Sequence, residues 1–255
     1  MDRAPVFSAI KTLRAGQAFT AQEVNTIDSL LDDLGIVRGA ADAGAGVQIG
    51  LTLADFQAAA AALGCTSAQI RAVWEVESGG GWFKDVRADI LALDGPGGFL
   101  DGPHLPKILF EAHVFDRYTK GQYRDSHPNL SSKVWNRKLY IGGQGEYVRL
   151  WKAMQLDREA ALMSASVGGA QIMGFNHKLA GFATVQAYWD AMKVSEAAHL
   201  GAFCSFIKNK GLVNALKTIS NSPPDCIAFA KGYNGQGYAQ NNYHVKIAQA
   251  HARYA

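Results

Sequence analysis

A mainly α-helical fold, with at most a small β-hairpin region and a small helical module in front, follows from three observations on this 255-residue chain. Helix-start signals recur along it. Apolar residues return at helical spacing through most of the C-terminal two thirds. Strict apolar–polar alternation, the mark of a half-buried strand, is weak throughout. Hydrophobic residues make up 48% of the chain and charged residues 18%, which is ample for a core and gives no compositional case for disorder.

The elements follow in order. Thr20 with Glu23, Thr52 with Asp55 and Thr66 with Gln69 each place a threonine three residues before an acid or amide, the spacing of a capping box, with Asp55 a shorter variant. The first run carries Val24, Ile27, Leu30, Leu31 and Leu34 and stops at Gly35; the second, Phe56 to Leu63, is alanine-rich and stops at Gly64. Between them, residues 38–50 hold small residues without period and read as a linker or long loop. Residues 1–45 are therefore expected to form a small helical module, and residues 51–255 the main domain. Further helices are expected over Asp157–Ser164, Thr184–Met192, Ser195–Lys208, Leu212–Ile219, Pro223–Lys231 and from about Asn242. Ser222 before Pro223 reads as N-cap and N1. The Gly- and Asp-rich stretch from Gly79 to Pro106 reads as a small hairpin or irregular loops.

Several function classes are excluded. Twenty-five Lys and Arg against 22 Asp and Glu give a net charge of +3, too thin a margin for a dedicated nucleic-acid binder. No apolar run reaches the roughly 18 residues of a membrane span. The first residues, MDRAPVFSAIKTLRAG, lack the apolar stretch of a secretory signal. Three scattered cysteines, Cys65, Cys204 and Cys226, read as reduced, buried thiols. No zinc spacing, nucleophile elbow or phosphate loop occurs, and Gly44, Gly46 and Gly50 are mis-spaced for a dinucleotide site. No cofactor and no metal are expected, and the chain is expected to be a monomer.

The most informative element is TSAQIRAVWEVES, Thr66 to Ser78. Ile70, Val73, Trp74 and Glu77 share one helix face, so an apolar stripe ends in a carboxylate just before three glycines. Burial and the partial negative charge of a helix C-terminus both raise the pKa of Glu77, as a general acid near neutrality requires. The alternative is that Glu77 points past the helix end into water. Glu75 leaves the stripe and reads as a surface partner of Arg71.

Glu77-Ser78 at a helix end, then SVGGAQIMG (Ser166 to Gly174), then Tyr233-Asn234-Gly235, resembles the lysozyme superfamily, in particular its goose-type and soluble lytic transglycosylase branches. The stretches GGFLDGPHLPKILFEAHVFDRYT, SVGGAQIMGFN and FAKGYNGQGYAQNNYHVKIAQAH more closely resemble the N-acetylmuramidase domain of bacteriophage endolysins, over about Ile70 to the C-terminus. The chain departs at Val167, where that family commonly has Trp, and at Tyr243-His244, where it often has Tyr-Asp. The resemblance implies a lysozyme-like helical domain that cleaves the bond between N-acetylmuramic acid and N-acetylglucosamine in peptidoglycan and lyses the host cell. It implies Glu77 as acid, with Ser166, Gly168, Gly169, Gln171, Tyr233 and Asn234 lining the sugar cleft; the bland alternative for Gln171 to Met173 is a buried helix start. Glu111 is a possible second carboxylate, or a structural ion-pair partner of His113, Arg117 or Lys107; Asp94, Asp101 and Glu75 are further candidates. Trp82 either lines the cleft or belongs to the core. A lytic transglycosylase and an inactive wall-binding or phage structural protein remain as alternatives. The N-terminal module is expected to anchor to peptidoglycan or to cap the main domain. The protein is expected in the host cytoplasm before release, acting on peptidoglycan in the periplasm or cell wall.

Overall fold

The computed structural model describes residues 50–78, 81–83, 86–94, 99–100 and 104–255. Contacts divide the chain between Val47 and Gln48, and everything described belongs to the second unit. The Thr20–Leu34 helix, the 1–45 module and Asp101 lie outside the described residues.

The domain begins with two short helices, α1 (Leu53–Leu63) and α2 (Ser67–Glu77). Both open with reciprocal capping boxes. Thr52 Oγ1 accepts from the Asp55 N–H while Asp55 accepts from the Thr52 N–H, so the shorter aspartate completes the motif as well as Gln69 does behind Thr66. Gly64 closes α1 at φ +64°, a left-handed C-cap that glycine adopts without strain. After α2 come β1 (Trp82–Phe83), α3 (Ala88–Leu91), β2 (Leu105–Pro106), β3 (Ile108–Phe110) and α4 (Ala112–Tyr118). Next are α5 (Gly145–Leu156), α6 (Arg158–Met163), β4 (Ala165–Val167) and β5 (Ile172–Met173). The remainder is helical: α7 (Val185–Met192), α8 (Glu196–Asn209), α9 (Val213–Lys217), α10 (Pro223–Asn234) and α11 (Tyr243–Tyr254).

Eight of these helices, α1, α2 and α6 to α11, match the expected segments to within a few residues at each end. Helices α4 and α5 were not expected, and the stretch from Gly79 to Pro106 contributes both a strand pair and the short α3. Ser222 occupies the N-cap position of α10, yet its side chain makes no capping bond. Ser220 takes up that local role, accepting from the Ser222 N–H and donating to Asp225.

Two small antiparallel sheets complete the domain among the described residues. One pairs β1 with β2; the other has the order β3-β4-β5, with Leu109 opposite Ser166 and Ser166 opposite Met173. The core is continuous from α2 to α11 and includes Trp189, Tyr188, Tyr147, Phe110, Phe115, Phe203 and Phe229. Helix α11 packs along α2. There Glu75 pairs with Arg253 and accepts from the Tyr254 hydroxyl, while Arg71 stacks over the Tyr254 ring at 3.9 Å. The expected Glu75–Arg71 couple is thus replaced, because the chain end reaches Glu75 and takes Arg71 as a cation–π partner.

A buried ion pair fixes the middle of the domain. Arg149 on α5 donates to Glu146 at 2.8 Å and to the Phe110 and Asn129 carbonyls. Glu146 also accepts from the N–H groups of Phe110, Ile141 and Gly142. Both side chains are almost fully enclosed, at 0% and 2% exposure. Together they tie β3, α5 and the loop before α5 into one piece.

Candidate active site

Two helix C-termini meet at the candidate site. Glu77 is the last residue of α2 and Asn234 the last of α10. The Asn234 Nδ2 donates to Glu77 Oε1 at 3.0 Å. Gly235, at φ +70°, ends α10 immediately afterwards. The N-terminal end of α2 is held as firmly, since Gln69 Nε2 donates to the Lys217 and Ile219 carbonyls.

Burial pushes the Glu77 carboxyl up to about 7, and the single Asn234 donor only partly offsets it. A carboxyl that keeps its proton near neutrality can deliver it to a leaving oxygen. Two phenols lie close enough for the Glu77 charge to act on them. Burial, then that charge, raises Tyr233 well above the ordinary phenol value and raises Tyr243 as well. Tyr243, at the start of α11, was not among the expected site residues; its signal was its place in the Tyr243-His244 departure.

The β4–β5 hairpin approaches α2 from another side. Gly169 lies against Trp74, one turn before Glu77; a Cβ there would sit 2.7 Å from the indole. Gly168, at φ +78°, and Gly81 both abut the His199 ring, where added Cβ atoms would approach to 3.0 and 2.7 Å. His199 is buried. Its Nδ1 accepts from the Gly169 N–H at 3.1 Å, and its Nε2 faces the Met192 carbonyl at 2.7 Å. These partners assign the Nε2–H tautomer, and burial lowers its pKa to about 4. The glycines' missing side chains thus make room for Trp74 and His199. Trp82 is buried and stacks on His199 with ring centroids 4.8 Å apart, which places it in the core alternative.

Ser166 and Gln171 are locked together. Ser166 Oγ donates to Gln171 Oε1 at 2.8 Å, and Gln171 Nε2 donates to the Gly168 and Lys107 carbonyls. Gln171 sits at φ +48° in the hairpin turn, so the segment is a β-turn and strand rather than the start of a helix. Tyr233 stacks on Phe229 and meets Phe203 and Phe206 edge-on, a packing role for its ring.

Glu111 belongs to a different neighbourhood. It sits at the N-cap of α4, where its Oε2 accepts from the Tyr140 hydroxyl at 2.7 Å and lies 3.2 Å from His113 Nδ1. His113 is one of the partners expected for it. The three residues of β3, four steps of about 13 Å in all, separate it from Lys107, whose carbonyl receives Gln171. Its polar contacts run to Tyr140 and His113, with none to Glu77 or Asn234. Asp94 accepts from the Leu100 N–H. No group of three or more His, Cys, Asp or Glu suited to a metal occurs among the described residues. Cys65, Cys204 and Cys226 are free thiols, and burial pushes Cys204 up to about 12.

A mainly helical domain with a buried carboxyl held by one amide where two helix ends meet fits a glycoside hydrolase, and the comparisons assign that class. The chain belongs to the N-acetylmuramidase family, whose sequence model matches residues 66–255. Among solved structures it is similar to the crystal structure of the Burkholderia AP3 phage endolysin, at 36% identity and a TM-score of 0.66, over 83% of this chain and 73% of that one. No curated protein matches it.

Proposed function

We propose that the chain is an endolysin that cleaves the β-1,4 bond between N-acetylmuramic acid and N-acetylglucosamine, with Glu77 as proton donor. The observation that carries this reading is a carboxyl raised to about 7 by burial and held by one neutral amide at the end of α2. Protonated Glu77 gives its proton to the glycosidic oxygen as the C1–O bond breaks and C1 gains oxocarbenium character. Water then adds to C1 and its proton returns to the carboxylate. Asn234 keeps Oε1 in place through the cycle. Tyr243 lies close enough to feel the Glu77 charge. On this reading Gln171, Ser166, Gly168 and Gly169 hold the β4–β5 hairpin in shape, with Gly169 against Trp74 one turn before Glu77.

A lytic transglycosylase would share the first step. In the second, the sugar's own C6 hydroxyl would add to C1, and Glu77 would take that proton. The absence of contact between Glu77 and any second carboxylate among the described residues suits this reading too. Mass spectrometry of digested sacculi separates the two, because only hydrolysis adds water to the product. E77Q should lower product release by at least about a thousandfold, the scale of losing the group that stabilises the departing oxygen. Equal lysis by wild type and E77Q would sink the assignment.

The protein is placed, on this reading, in the host cytoplasm until lysis and on the wall afterwards. No helix among the described residues is long and apolar enough to cross a membrane.

A further inference from the structure

Between α4 and α5 the domain presents a surface that the Glu77 site does not use. Val134, Trp135 and Ile141 are 66%, 59% and 64% exposed, among the few large apolar side chains left in water. Isolated exposed apolar residues need no explanation, but a group of them on one short segment does. The segment is also charged in one sense only. Ser132 to Gly143 holds Lys133, Arg137 and Lys138 and no acid; all three cations are exposed and none makes an ion pair with a described residue.

This surface is built, not loose. Trp135 Nε1 donates to the Tyr140 hydroxyl at 2.8 Å, and that hydroxyl donates to Glu111. Burial and the adjoining Glu111 carboxylate push the Tyr140 phenol up to about 12, so it keeps the proton it donates. The Tyr140 ring rests 5.8 Å from the Arg149 guanidinium, and the Ile141 and Gly142 N–H groups end on Glu146. The buried Glu146–Arg149 pair therefore anchors the base of the platform. The indole N–H is spent inward, which leaves an oriented aromatic face outward.

We propose that Trp135, with Lys133, Arg137 and Lys138, forms a second, non-catalytic docking surface for the peptidoglycan strand. This rests on the hydrolase reading above. The chemistry of that polymer fits both halves of the surface. The C–H faces of its sugars pack on an indole ring, and the free carboxylates of its stem peptides match three exposed cations that make no ion pair with a described residue. The polar chain behind the indole, from the Tyr140 hydroxyl to Glu111 and His113, suits sugar hydroxyls and would be costly against a lipid interior. The surface would hold the enzyme on the polymer while Glu77 acts elsewhere on it, raising local substrate concentration.

The test uses full-length protein carrying E77Q, which leaves sacculi undigested. Titration by co-sedimentation with purified sacculi should show W135A, and separately K133Q/R137Q/K138Q, binding about five- to tenfold more weakly. W135F should retain most of the affinity. The Trp135 indole N–H resonance, assigned by its absence from W135F, should shift when soluble muropeptide tetrasaccharide is added. With Glu77 intact, W135A should raise KM for sacculi and leave kcat unchanged. Unchanged sacculus affinity in W135A overturns the proposal. So does a Trp135-dependent affinity for phosphatidylglycerol vesicles without one for sacculi, which would make the surface a membrane contact. Failure of wild type to release sugar from sacculi would instead sink the hydrolase reading, and the binding titration would still be read.

Discussion

Glu77 and Glu146 are both glutamates drawn out of water, and their partners are opposite in kind. Glu146 faces Arg149 and three backbone N–H groups. Its formal charge is matched and its oxygens are occupied. Glu77 has one neutral amide and burial that raises it to about 7. The first arrangement fixes a scaffold; the second, on the proposed reading, keeps a proton for delivery to a substrate. The same side chain becomes a strut or an acid according to whether a cation shares its pocket.

The largest effect expected from breaking this contrast is at the strut. R149A leaves the Glu146 carboxylate in the interior without its cation and frees the Phe110 and Asn129 carbonyls. Removal of one partner of a buried pair costs about 3–5 kcal/mol, which urea unfolding at pH 7 would read directly. An R149A cost below about 1 kcal/mol would mean that the pair behaves like a surface couple, and the contrast with Glu77 would lose its meaning.

The next effect is at the acid and has the opposite sign. The folded protein holds the Glu77 proton more tightly than the unfolded chain, from the ordinary 4.5 up to about 7. Its contribution to stability is thus complete below about pH 4.5 and lost as pH rises through 7. E77Q removes that loss, so above pH 7 the variant should be more stable than wild type by about 3 kcal/mol. Below pH 4.5 the two should converge. His199 works against Glu77 in nearly the same window. Its folded pKa is lowered to about 4, so the unfolded chain takes the proton first and stability rises with pH from about 4 to 6.5. In wild type the two slopes oppose each other; in E77Q the rising histidine slope should stand alone. Urea midpoints at pH 5, 6, 7 and 8 check this, and E77Q stability parallel to wild type across that range would contradict it.

The same contrast explains what the sequence made legible. Glu77 was visible because it closes an apolar stripe at i, i+3, i+4 and i+7, and its helix because Thr66 and Gln69 cap it locally. Helix α5 was hidden because Glu146 and Arg149 occupy buried positions and interrupt the apolar period. Helix α4 is seven residues long with the buried Asp116 inside it, too little for a period to show. The strands are two or three residues long, too short for alternation to register. Gly168 and Gly169 were readable as places of close approach, but the approaching groups, His199 and Trp74, lie far off in sequence. Glu75 shows the same limit: helical spacing offered Arg71, and the fold delivered Arg253 and Tyr254 from the chain end.

The smallest expected effect isolates the one side-chain partner that Glu77 has among the described residues. The Asn234 amide donates to the carboxylate and lowers its pKa against the pull of burial. N234A removes that donor, so the carboxyl should keep its proton to higher pH. Since the donor form of a general acid is the protonated one, the alkaline limb of kcat should move upward. The shift should be up to about one pH unit, the worth of one hydrogen bond to a charged group. kcat itself should fall modestly, because an unheld Oε1 samples orientations that miss the glycosidic oxygen. N234D should move the limb further in the same direction, by placing a like charge 3.0 Å from Oε1. A profile that stays fixed in N234A while kcat falls would reassign Asn234 from tuning the acid to contacting the sugar. A limb that moves down would mean that the acid on that limb is not Glu77.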